Sequence, residues 1–270
     1  MRKLIVGCGY LGRRVAQRWL AEGHQVSAVT RSPRRVEELR RAGILPVLAD
    51  VTRPETLAAL PEAQRVLYAV GYDPAAGLSR FDVYVRGLEN FLGCAPAGIE
   101  RLVYISSTGV YGQADGSWLD ESSPCRPQRE AGRAFLAAEQ RLADHPLAAR
   151  TVVLRMAGLY GPGRVSRRSS AAEGFLNLIH VDDMAEVVLA AEKCPAPRLY
   201  LASDGHPVTR AEYYAYLATL LPSPDPPAPQ TDRARANKRI SNRRLLAELG
   251  VKLKYPSYRE GLPAALAGTP

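Results

Sequence analysis

The run Gly7-Cys8-Gly9-Tyr10-Leu11-Gly12 is the feature that most restricts what this chain can become. Its spacing is G-x-G-x-x-G, and it stands between the apolar run Leu4-Ile5-Val6 and a segment of helical periodicity over residues 12–22. A strand that turns into a helix through glycines so spaced is the fingerprint of a βαβ dinucleotide site. Gly7 is expected to make the turn, Gly9 to let main chain approach a pyrophosphate, and Gly12 to let helix and strand pack closely. The helix start, with Tyr10 and Leu11, then offers unsatisfied N–H groups and a partial positive charge to the phosphates.

The rest of the first half repeats this alternation. Residues 3–8, 25–30, 45–48, 66–70, 101–106 and 150–155 read as strands, with 198–202 as a short late one. Residues 12–22, 34–42, 54–60, 81–94 and 129–143 read as helices between them. Strand and helix alternating at this interval predict an α/β fold, a Rossmann-type doubly wound parallel sheet covered on both faces. Beyond it, residues 159–176 predict a loop, and residues 182–192 a helix capped by Asp182. A helix over residues 209–221 has Thr209 as its cap, and the prolines of residues 222–229 predict a stiff connection. The last expected helix, residues 241–249, is capped by Ser241 and stopped at Gly250. We expect residues 1–160 to form the dinucleotide-binding domain and residues 161–270 a small C-terminal substrate lobe interleaved with the sheet.

At the end of the second strand an NAD site carries an acid for the ribose 2′-hydroxyl. This chain has Thr30-Arg31-Ser32 there, with Arg34 and Arg35 just beyond. A guanidinium suits a 2′-phosphate through a charge-assisted fork. NADP(H) is therefore favoured over NAD(H), with Arg31, Ser32 and Arg35 as contacts. Asp50 and Val51, closing the third strand, are expected at the adenine end. Ala69, Val70 and Gly71, closing the fourth, are expected against the cofactor's middle.

Hydrophobic residues make up 46% of the 270 and charged residues 23%, an ordinary globular balance. No apolar run reaches the length of a membrane helix, and the first strand begins too near Met1 for an export leader, so a cytoplasmic protein is expected. Cys8, Cys94, Cys125 and Cys194 are scattered without metal-ligand spacing, as reduced thiols would be. The net charge of +9 gathers in residues 31–41, 164–168 and 233–244. Those stretches lack interleaved aromatics, so they read as solvated faces and contacts for anionic small molecules rather than for nucleic acid.

Three later runs carry a resemblance. RLVYISSTGVYG from Arg101 to Gly112, LRMAGLYGPG from Leu154 to Gly163 and IHVDD from Ile179 to Asp183 follow the glycine turn in order. Together they resemble the extended short-chain dehydrogenase/reductase family of NAD-dependent epimerases and dehydratases over nearly the whole chain. The short stretch between Gly163 and His180, and one residue fewer between the first two glycines, mark an atypical member. The resemblance implies an NAD(P)-dependent oxidoreductase or isomerase acting on a small, phosphorylated or nucleotide-linked substrate. It places Ser107 on the family's catalytic serine/threonine position, with Thr108 as a second candidate. It also implies subunit pairing through the helices at residues 81–94 and 129–143, hence a homodimer.

The same resemblance exposes a loss. Aligning Gly132 to Glu139 with the family's helix puts Ala131 on the catalytic tyrosine and Phe135 on the lysine, and no Tyr-x-x-x-Lys occurs between Gly112 and Arg155. General acid catalysis of this kind is worth roughly a hundredfold to ten-thousandfold, so a substitute matters. Tyr111 is the nearest phenol and the candidate for that role, although an aromatic packed beneath the cofactor or in a turn is the favoured reading of it. Without a substitute the chain reads instead as an NADP(H)-binding sensor or regulatory protein. No metal site is expected: His180 is read as fixing the connection between lobes, and Arg155 as structural. Tyr160, Gly161 and Pro162 are expected to border the pocket, with Arg164, Arg167, Arg168 and Arg239 as candidate anion contacts.

Overall fold

After Arg2, every residue of the first strand, β1 (Arg2–Val6), is buried, as a strand covered on both faces must be. The computed structural model describes residues 1–165, 174–221 and 237–268; Arg167, Arg168 and the prolines of residues 222–229 lie outside the described residues. Behind the glycine turn comes α1 (Tyr10–Ala21), with Gly9 at its N-cap. There follow β2 (Gln25–Thr30), α2 (Arg34–Arg41), β3 (Leu45–Leu48), β4 (Arg65–Tyr68), α3 (Gly87–Gly93) and β5 (Arg101–Ser107). Next are β6 (Trp118–Leu119), α4 (Glu130–Ala143), β7 (Thr151–Met156), β8 (Gly158–Tyr160), β9 (Phe175–Leu176) and β10 (Leu178–His180). The chain ends with α5 (Val181–Ala191), β11 (Arg198–Ala202), β12 (Val208–Thr209), α6 (Arg210–Leu220), β13 (Arg239–Ile240), α7 (Arg243–Leu249) and α8 (Tyr258–Ala267).

A seven-stranded sheet runs in the order β3-β2-β1-β4-β5-β7-β11, and every pair in it is parallel. Ile5 joins a core on one face with Val15 and Trp19 of α1, Met184 and Val188 of α5 and Leu245 of α7. Leu4 and Val6 point the other way, into a core with Leu88 and Phe91 of α3 and Ala138 and Leu142 of α4. Side chains alternate across a strand, so one apolar run serves both faces. Burial of each large aliphatic side chain contributes about 1.5–3 kcal/mol. The strand order reverses between β1 and β4, which opens a crevice at the carboxyl edge of the sheet. A third core, around Tyr160, Leu178, Tyr213, Leu217, Tyr258 and Leu262, packs α6 and α8 beside that edge.

Local details differ from the sequence reading, each for a physical reason. Residues 54–60 are not an α-helix: Pro54–Ala59 is a 3₁₀ turn with proline in its first positions. The helix expected over residues 81–94 opens with a π-turn, Asp82–Arg86, before α3. His180, not Asp182, caps α5: its Nδ1 accepts from the Asp182 N–H at 3.2 Å, while Asp182 pairs with Arg14 at 3.1 Å. Asn242 rather than Ser241 stands at the N-cap of α7. Thr209 caps α6 in a reciprocal capping box with Glu212. Within the expected loop at residues 159–176, Leu159 and Tyr160 belong to β8, and Phe175 and Leu176 form β9.

Candidate dinucleotide and active site

The three glycines of the opening turn answer to different neighbours. Gly7 has φ +97°, and a Cβ there would collide with the carbonyl of Ala69. A Cβ at Gly12 would sit 2.8 Å from the Gly7 carbonyl oxygen and 3.1 Å from Ile5 Cγ2. A Cβ at Gly9 would meet no protein atom within 4 Å. The fold itself therefore requires glycine at positions 7 and 12, and leaves the opening at Gly9 facing the crevice.

That crevice is a cleft of about 330 Å³ at the strand-order reversal. It gathers Gly7, Gly9, Arg31, Ser32, Arg35, Asp50, Val51, Val70 and Gly71 from the expected set, and adds Cys8, Thr52 and Val83. Ala69 lies behind Gly7, and Leu11 is in the core. The Tyr10 side chain turns away from the cleft: its hydroxyl donates to the Pro162 carbonyl at 2.9 Å, and the guanidinium carbons of Arg14 and Arg164 lie 4.3 and 5.5 Å from its ring centroid. Only the main chain of Tyr10 remains for a ligand at the helix start.

Two arginines close the cleft's mouth. Arg31 Nη2 pairs with Asp73 Oδ2 at 2.5 Å, both about half exposed. Arg35 Nη2 donates to the Cys8 carbonyl at 2.5 Å, and its buried Nε has no hydrogen-bond partner. Asp50 Oδ1 accepts from the Thr52 N–H at 2.9 Å and hydroxyl at 2.8 Å, which fixes the loop after β3. Amide hydrogens at a helix start, an open Cβ position at Gly9 and an orphaned guanidinium N–H form a donor set that fits a dinucleotide's phosphates.

Pairing of Tyr68 with Tyr104 sets the carboxyl ends of β4 and β5 side by side, so Ser107 follows on from the Gly71 end of the cleft. Ser107 Oγ accepts from the Gly109 N–H at 3.0 Å, which leaves its own proton to donate. Thr108 is buried, and its carbonyl accepts from Lys238 Nζ at 2.6 Å. Lys238 also donates to the Tyr111 carbonyl. Burial lowers the Lys238 pKa to about 8.

Tyr111, the candidate phenol, is packed in the interior. It is 1% exposed; its hydroxyl accepts from Arg155 Nη1 at 2.6 Å and donates to the Asp120 carbonyl at 3.1 Å. Burial pushes its phenol up to about 12. Arg155 is itself bound to Glu139 at 2.6 Å, and Glu139 also accepts from Ser106 Oγ at 2.5 Å. This interior network holds β5, β7 and α4 together. On α4, a Cβ at Gly132 would collide with the Gly109 carbonyl, so the helix lies tight against the Ser107 turn. Phe135, on the lysine position, stacks on Tyr84 with centroids 4.2 Å apart and planes at 26°. Sequence reading passed over Tyr84 because no local motif links it to α4.

His180 is buried between Tyr255, with ring centroids 4.0 Å apart, and Tyr160, at 5.3 Å edge-on. Its Nε2 has no partner, and burial pulls its pKa down to about 4. Arg239, expected as an anion contact, is held instead: its Cζ lies 5.4 Å from the Trp118 ring and 5.2 Å from the Phe175 ring, and Nε donates to the Gly116 carbonyl at 2.7 Å. Arg164 is exposed beside Tyr10. No described helix is long and apolar enough to cross a membrane.

The sequence profile of an NAD(P)H-binding family matches residues 7–195. Protein YeeZ of Escherichia coli K12 is 30% identical, over 95% of this chain and 97% of its own. A 3-diazoavenalumate denitrifying reductase from a Streptomyces species is 27% identical, over 97% of this chain and 99% of its own. A solved structure from Methylobacillus flagellatus, of a protein assigned to the NAD-dependent epimerases/dehydratases, is 33% identical with a TM-score of 0.75, covering 98% of this chain and 97% of that one.

Proposed function

The chain belongs to the NAD(P)-binding, extended short-chain dehydrogenase/reductase family of NAD-dependent epimerases and dehydratases, and from that premise we propose that it is an NADPH-dependent oxidoreductase acting on a small anionic substrate. The observation that carries this reading is the cleft at the strand-order reversal, with Arg31 and Arg35 standing where an NAD site carries an acid. When bound, the nicotinamide supplies or accepts a hydride. Main-chain N–H groups at the start of α1 hold the pyrophosphate, and Arg31, Ser32 and Arg35 hold the 2′-phosphate. Asp50 and Val51 flank the adenine, while Ala69, Val70 and Gly71 back the middle of the cofactor. Ser107, with Thr108 behind it, donates a hydrogen bond to a substrate oxygen and orients it.

The Streptomyces relative supports the reductive direction. The net charge of +9 and the exposed Arg164 support a phosphorylated or nucleotide-linked substrate. The lobe built on Tyr160, Tyr213 and Tyr258 supplies the substrate side. Titration of the protein with NADPH and NADH, followed by nicotinamide fluorescence, tests the premise. A 2′-phosphate held by charge-assisted bonds makes NADPH bind about tenfold tighter or more. Failure to bind either dinucleotide would sink the reading.

A second reading, a dinucleotide-binding sensor without turnover, is favoured by the burial of Tyr111 and by Ala131 and Phe135 on the positions of the proton-transfer pair. A panel of carbonyl compounds and nucleotide sugars separates the two. NADPH bound but never oxidised across the panel selects the sensor.

A further inference from the structure

Next in the chain to the cleft's lining stands a phenol that no motif marks. Tyr84 lies in the π-turn Asp82–Arg86, directly after Val83, which lines the cleft. Tyr72, whose ring centroid lies 6.4 Å from that of Tyr84, directly follows Gly71, which also lines the cleft. The Tyr84 ring lies flat on Phe135 of α4, and α4 packs on the turn that follows Ser107. A salt bridge of 3.0 Å from Arg80 to Glu130 ties the start of the π-turn to the first turn of α4. The phenol's ring is thus held between an element that lines the cleft and the helix that packs on the Ser107 turn.

Other phenols nearby are taken. Tyr68, Tyr104 and Tyr111 are fully buried, and the Tyr72 hydroxyl donates to the Leu78 carbonyl at 2.9 Å. Tyr84 is only half-buried. Its burial raises the phenol above its ordinary range, so it is a neutral hydroxyl with a proton to donate near pH 7.

We propose that Tyr84 is a cofactor-binding residue whose hydroxyl hydrogen-bonds the nicotinamide riboside, serving from the π-turn the side of the site on which Phe135 replaces a lysine. Phe135 cannot donate a hydrogen bond, but it presents a flat apolar surface that holds the tyrosine ring in place. The donor moves to a neighbouring element while its place in the site is kept. This inference rests on the dinucleotide reading given above.

Calorimetric titration of the wild type and Tyr84→Phe with NADPH and with 2′,5′-ADP tests it. The second probe shares adenine, ribose and 2′-phosphate with NADPH but lacks the nicotinamide riboside. Loss of one hydrogen bond raises the NADPH Kd about three- to tenfold, and the 2′,5′-ADP Kd stays as it was. Phenylalanine keeps the stack on Phe135, and an unchanged melting temperature verifies the fold. Unchanged NADPH affinity overturns the inference, as does equal weakening for both probes, which marks a structural role. Failure of the wild type to bind either probe overturns the dinucleotide reading and this inference together, so the two failures are distinguishable.

Discussion

Adding a methyl group at Gly7 drives it into the Ala69 carbonyl, and the φ of +97° strains any L side chain as well. At Gly9 the same methyl meets no protein atom. Gly7→Ala is therefore expected to cost on the order of 3 kcal/mol of stability, whereas Gly9→Ala stays within about 1 kcal/mol of the wild type and loses dinucleotide binding. Melting curves paired with NADPH titration check both; a Gly9→Ala protein that binds NADPH normally would move the pyrophosphate elsewhere. Asp73 offers a second test, because it neutralises Arg31 and stands where it repels a 2′-phosphate. Exposed pairs are worth about 0.2–1 kcal/mol, so Asp73→Asn is expected to tighten NADPH severalfold and leave NADH unchanged. Arg31→Asp does the reverse; equal effects on both dinucleotides would count against the phosphate contact. The glycines were legible because their spacing is local, while the partners of Tyr111 were not. Its interior place depends on Arg155 and the Asp120 carbonyl, which only the folded chain brings to it.

Elements were legible where an apolar period and a stop signal coincided. β2 and β3 keep the bounds read from sequence, and α7 ends at Gly250 in a left-handed cap. The C-terminal third was less so. Its strands β9, β12 and β13 span two residues each, too short for any alternation to show. α8 carries Pro263 inside it, the residue that argues most strongly against a helix. The cap of α5 was misread because Asp182 is a strong capping type, whereas His180 takes the post with a ring nitrogen. That substitution has a consequence in acid. His180 titrates near 6.5 when unfolded and at about 4 in place, because burial disfavours its charge. The unfolded chain takes the proton first, so the stability His180 contributes is full above pH 6.5 and lost as the pH falls towards 4. His180→Asn keeps an N-cap acceptor that does not titrate. Its loss of melting temperature between pH 6.5 and pH 4 is expected to be smaller than that of the wild type; an equal loss would place the acid sensitivity in other groups.

At the scale of the whole molecule, alternation alone predicted the doubly wound sheet, since parallel strands need crossover helices and those helices need both faces. How the buried charges beyond β11 shape stability has to be taken from the structure. Asp204, just beyond β11, is 7% exposed; its Oδ1 accepts from the His206 N–H at 2.9 Å and its Oδ2 has no partner. Burial, with Asp183 and Glu260 nearby, raises its pKa from 3.8 to about 8. Here the folded chain holds the proton longer than the unfolded one, so stability falls as the pH rises from 3.8 to about 8. Up to pH 6.5 the recovery from His180 opposes that fall. From about pH 8 to 10.5 the depressed Lys238 restores stability with rising pH, because the unfolded chain keeps its ammonium longer. The interval from pH 6.5 to 8 is therefore where Asp204 acts with neither His180 nor Lys238 opposing it. Asp183 is raised in the same direction by burial. Wild-type melting temperature is expected to drop by several degrees across that interval. Asp204→Asn keeps an acceptor for His206 but cannot ionise, so its curve should run nearly level there and lie above the wild type at the alkaline end. A variant that falls in parallel with the wild type would mean that the carboxyl of Asp204 is already ionised in the fold.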